Sequence, residues 1–83
     1  MNSPINQTHE QLLTRARDQL RAAEAVHHRE AARLARLTSA VKSANRGYYS
    51  PKKWRSLDAA TARVADAASK VNTIRMLVEE LAQ

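Results

Sequence analysis

The chain has 83 residues, a formal net charge of +6 and no cysteine. A chain this short is one small domain that hides only roughly 60% of the surface its unfolded form exposes, and it has neither disulfides nor thiolate metal sites to reinforce it. With one Gly and two Pro, and 43% hydrophobic residues that include no Phe, the composition excludes a broad aromatic core and favours long helices joined along a narrow aliphatic seam.

No apolar run of membrane-spanning length occurs, and no apolar leader segment is visible, because the apolar residues come singly and in pairs. A cytoplasmic protein without a membrane partner is therefore expected. Residues 1–8 are polar and read as a flexible segment ending at Thr8, a residue type suited to capping a helix.

The first helix is expected over 9–45. Positions Leu13, Ala16, Leu20, Ala23, His27, Glu30, Leu34, Leu37, Val41 and Ala44 step by three and four without a break, which is the a/d pattern of a coiled-coil seam. His27 and Glu30 are the polar break in it. They lie within "HHRE", the only cluster of ligand-type side chains. Three residues apart on a helix, they share a face on which a metal could bind, but no second ligand pair exists on either helix. The reading adopted is a polar break that fixes register or partner orientation, with no metal and no cofactor.

A turn is expected over 46–50. Asn45 and Gly47 suit the left-handed closure of a helix; Ser50 can cap the next helix, and Pro51 fits its first turn. The second helix is expected over 51–82, with its own series Leu57, Ala60, Val64, Ala67, Val71, Ile74, Val78 and Leu81. So short a link makes the helices antiparallel neighbours. The fold class is all-α: a two-helix antiparallel coiled-coil hairpin. Centring the turn on Gly47 sets Leu13 near Leu81, Leu20 near Ile74 and Leu34 near Ala60, and a register one heptad away also fits.

A single seam leaves apolar margins. Leu12 and Val26 flank the first series, Leu77 and Ala68 the second, and Met76 points outward. At about 25 cal/mol per Å² of buried apolar surface, one seam hardly offsets the chain entropy of so many residues. Completion by a homodimer, as a four-helix bundle, or by a protein partner is expected, with Val26, Trp54, Met76 and Leu77 as contact residues.

The charge is uneven along the chain. Residues 31–57 carry Arg33, Arg36, Lys42, Arg46, Lys52, Lys53 and Arg55 with no acid, whereas 1–30 are balanced and 58–83 sum to minus one. Lys42 and Arg46 suit the end of the first helix, whose dipole favours cations. Lys52, Lys53 and Arg55 do not suit the start of the second, where an acid would be the better structural choice. With Tyr48, Tyr49 and Trp54 beside them, they form a basic–aromatic tip. Three readings are open for it: phosphate contact with base stacking, an acidic protein surface with aromatic anchors, or rings that plug the open seam while the lysines keep the tip soluble.

No nucleophile–base pairing, Gly-rich phosphate loop or paired carboxylates occur, and a two-helix hairpin offers no cleft in which to perturb a side chain. An enzyme is not expected. The leading expectation is a protein-binding module, a small chaperone or adaptor. The alternative is a phage- or plasmid-type accessory protein whose basic tip engages nucleic acid or a nucleic-acid-handling complex.

The segment Gly47-x-Tyr49-Ser50-Pro51-x-x-Trp54-x-x-Leu57, followed by an Ala-rich heptad helix, resembles the turn of the small helical-hairpin co-chaperones of type III secretion needle subunits. The resemblance covers residues 10–82 in pattern and about ten positions in identity. It implies a hairpin that pairs with a helical-repeat chaperone and keeps a needle subunit monomeric in the cytoplasm, with contacts through Val26, Met76 and Leu77 and with Trp54 near the turn. The basic tip and the His27–Glu30 break depart from that family's pattern.

Overall fold

A computed structural model describes residues 8–44 and 51–83. They form two helices, α1 (His9–Ala44) and α2 (Pro51–Ala82), which account for 97% of the described residues and pack on each other as a hairpin. The expected turn, with Asn45, Arg46, Gly47, Tyr48, Tyr49 and Ser50, lies outside the described residues, as does the expected flexible segment up to residue 7.

The start of α1 is fixed by a reciprocal cap. The Gln11 amide donates to the Thr8 hydroxyl at 3.2 Å, and the Thr8 amide donates to the Gln11 side-chain carbonyl at 3.0 Å. Two helix-end donors that have no intrahelical partner are thereby satisfied. The first helical bond follows at once, from the Leu12 amide to the Thr8 carbonyl at 3.1 Å. At the other junction α2 opens on Pro51, whose missing N–H costs nothing in a first turn.

The seam follows the heptad series. Every position of the two series from Leu13 to Val41 and from Leu57 to Leu81 is buried or partly buried, and the only other described positions seen to share that shielding are Ala31, Thr38 and Ala68. The best-shielded residues are small: Ala16, Val41, Ala60, Ala67 and Val71, with Ala60 at 0% exposure. Alanine at the contact lets two helix backbones come close, so the seam is narrow and, among the described residues, contains no large, fully enclosed side chain.

Among the described residues, two polar contacts cross between the helices. The His9 ring bonds the Leu81 carbonyl at the open end, serving one of the carbonyls left unpaired at the end of α2. Midway along the rod, Arg75 meets Glu24 at 3.7 Å. Helical side chains lean toward their own N-terminus, so in an antiparallel pair Glu24 and Arg75 lean toward one another. Both contacts are spaced as a pairing of Leu13 with Leu81 and Leu20 with Ile74 would place them.

The result is a rod. Its principal extents are 70 × 22 × 14 Å and its radius of gyration is 19.0 Å, against ~12 Å for a compact chain of this length. It exposes 6722 Å², about a third more than the ~5,000 Å² of a typical folded monomer of its mass.

Candidate functional site

Because the helices are antiparallel, the two long sides of the rod are built from different heptad positions. Glu24 and Arg75, the cross-helix ion pair, both occupy e positions. A shallow groove of about 310 Å³ along the same side is lined by Glu24, His27, His28, Ala31, Ala68, Val71, Asn72 and Arg75; all are a, b or e positions. The e positions of the two helices therefore meet on one side. The g positions, with the c positions beyond them, lie together on the other.

That division separates the exposed apolar residues. Leu12, Val26 and Leu77 are all g positions, 40%, 40% and 44% exposed, and Leu77 falls between the other two along the rod. They make one apolar edge in the half away from the turn. Trp54, 37% exposed, sits at an e position near the turn, on the opposite side. Met76, at 64% the most exposed of the described large apolar residues, lies on the outer back of α2. Of the four expected contact residues, the fold brings Val26 and Leu77 to one side and leaves Trp54 and Met76 on others.

The same division sorts the charges. The e/b side carries Glu10, Glu24, Asp58 and Glu79 against Arg17, Arg21, Lys42 and Arg75, which is a balance. The c/g side carries Arg15, Arg29, Arg33, Arg36, Lys52, Arg63 and Lys70 against only Asp66 and Glu80, all of them exposed. Lys70 is paired with Asp66 at 3.7 Å. Among the described residues, none of the other six cations on that side has a carboxylate within ion-pair distance.

The basic tip is placed in part. Lys42 lies in the last turn of α1. Lys52, Lys53 and Arg55 lie at the start of α2, where the first turn holds no acid. Arg46, Tyr48 and Tyr49 lie outside the described residues. The polar break is placed whole: His27 and Glu30 are both partly buried on the seam. His27 faces the e-side groove, while Glu30 belongs with His28, Arg29, Arg33 and Arg36 in a separate depression on α1. The Glu30 Oε2 oxygen is enclosed and has no hydrogen-bond partner. Among the described residues, no group of three or more His, Asp or Glu converges as a metal-binding set would.

Among the described residues, four hydroxyls donate to their own helix. Thr38, Ser56, Thr61 and Thr73 each donate to the carbonyl one turn earlier, the usual satisfaction of a hydroxyl inside a helix. No described helix is long and apolar enough to cross a membrane. Comparison with protein-family models, with curated proteins and with solved structures finds no match.

Sequence reasoning found the seam, the apolar flanks and the acid-free stretch. It missed the lateral sorting of charge. The signal was present in the heptad letters, but it appears only when the c and g positions of both helices are counted together.

Proposed function

We propose that the protein is a non-enzymatic docking module, a small chaperone or adaptor that binds a protein partner along the edge formed by Leu12, Val26 and Leu77. The observation that carries this reading is their position. The three lie on one side of a seam that is already filled, and they remain exposed. A partner helix laid there would add a third row to the bundle and cover apolar surface the hairpin cannot cover itself. The surplus exposed area of the rod supports the same reading. A second copy of the chain, giving a four-helix bundle, is one form such a partner can take.

The turn sequence from Gly47 to Leu57 supports a role like that of needle-subunit co-chaperones, acting in the cytoplasm. The test uses two variants, Leu77→Asp and Val26→Asp, with the full chain as bait and sedimentation as a parallel measurement. A partner or self-association held by the wild type and lost by both variants, with helicity unchanged, is the expected result. Retention by both variants overturns the proposal.

A further inference from the structure

The c/g side has a second half that the apolar edge does not use. From Val26 toward the turn, α1 presents Arg29, Arg33 and Arg36, and α2 presents Lys52 and Arg63 beside them. All five are exposed, and none pairs with a described carboxylate. We propose that this half of the c/g side binds the phosphate backbone of a nucleic acid.

Three observations carry the assignment. The first is lateral: cations gather on one side of both helices while the other side is balanced, and solubility alone does not require such sorting. The second is linear. At a rise of about 1.5 Å per residue, Arg29, Arg33 and Arg36 fall roughly 4.5–6 Å apart along one strip, so a polyanion can meet several at once. The third is energetic. Lys52 stands in the first turn of α2, where the helix dipole disfavours a cation, so its charge works against the fold and is explained by a ligand. Single-stranded or double-stranded DNA or RNA shares this backbone chemistry, and the probes below separate them.

The measurement is fluorescence anisotropy with the full chain and labelled 20-nucleotide single strands and duplexes of DNA and RNA across a salt series. Five phosphate contacts give a slope of log K against log salt of about −3.5 for a single strand, a loss of roughly a hundredfold between ~50 and ~200 mM. The triple variant Arg29→Gln/Arg33→Gln/Arg36→Gln is expected to reduce that slope by about 2. Arg17→Gln/Arg21→Gln/Arg75→Gln, which removes as many cations from the e/b side and none from the basic tip, is expected to leave the slope within about 0.5 of the wild type. Circular dichroism checks that both variants remain helical. Equal losses in the two variants overturn the proposal, since binding would then follow total charge. So does poly-glutamate binding more tightly than every oligonucleotide at equal salt, which would assign the face to an acidic protein.

Discussion

Glu24 and Arg75 join the two helices across the seam at 3.7 Å, each side chain half exposed. The pair reports orientation more than it supplies stability. Exposed ion pairs are worth roughly 0.2–1 kcal/mol and are screened by salt. Arg75→Glu should therefore lower stability by about 1 kcal/mol or less, and adding Glu24→Arg should restore most of the loss. A double-mutant cycle in urea at low and high salt checks this, with a smaller coupling expected at high salt.

The seam depends on shape. Ala60 is completely enclosed, and a larger side chain there must push the backbones apart. Ala60→Leu should destabilise by about 1–3 kcal/mol. Ala62→Leu, two residues on and exposed, should stay within about 0.5 kcal/mol of the wild type. Thermal unfolding of the two variants side by side decides it; equal Tm values would mean that Ala60 does not sit at the closest approach.

Glu30 gives the opposite expectation. Its enclosed Oε2 oxygen lacks a partner, and an unsatisfied buried acceptor is costly. Glu30→Leu continues the aliphatic series and should raise stability by about 1 kcal/mol, or roughly 4–8 °C in Tm for a domain of this size. A fall in Tm would show that the carboxylate is satisfied in solution and that the break supports the fold.

At the start of α2 the fold and the proposed ligand pull in different directions. Lys52→Glu and Lys53→Glu should each stabilise the helix by about 0.3–1 kcal/mol through its dipole. Lys52→Glu should also weaken oligonucleotide binding, since Lys52 is one of the five proposed phosphate contacts, whereas Lys53, outside the c/g side, should affect binding less. Measuring stability and affinity on one protein preparation tests both halves of that trade.

The cap of α1 is local. Thr8→Ala removes the hydroxyl that accepts from the Gln11 amide and should cost about 1 kcal/mol. Hydrogen exchange should show the loss as faster exchange at residues 10–13, with the middle of the rod little changed.

Much of this architecture could be read from the residue order. The unbroken three–four stepping is a local pattern, and from Leu13 to Val41 and from Leu57 to Leu81 it named the buried and partly buried positions. Pro51 marked the second start because proline is tolerated in few helical places. What stayed hidden depends on pairing. Gln11 becomes half of a cap only when its side chain folds back on Thr8. The isolated oxygen of Glu30 is a property of its surroundings and not of its place in the series. Trp54 looked like a companion of Val26 and Leu77 by residue type, but its e position sends it to the other side of the rod.

The His9–Leu81 bond has a mechanical consequence. It ties the beginning of α1 to the finish of α2, so both strands of the rod depart from a single point. From there α1 runs ~54 Å to its far end, packed on α2 along the way. A partner bound only at that end would therefore lie ~30–40 Å along the rod from Arg29, Arg33 and Arg36.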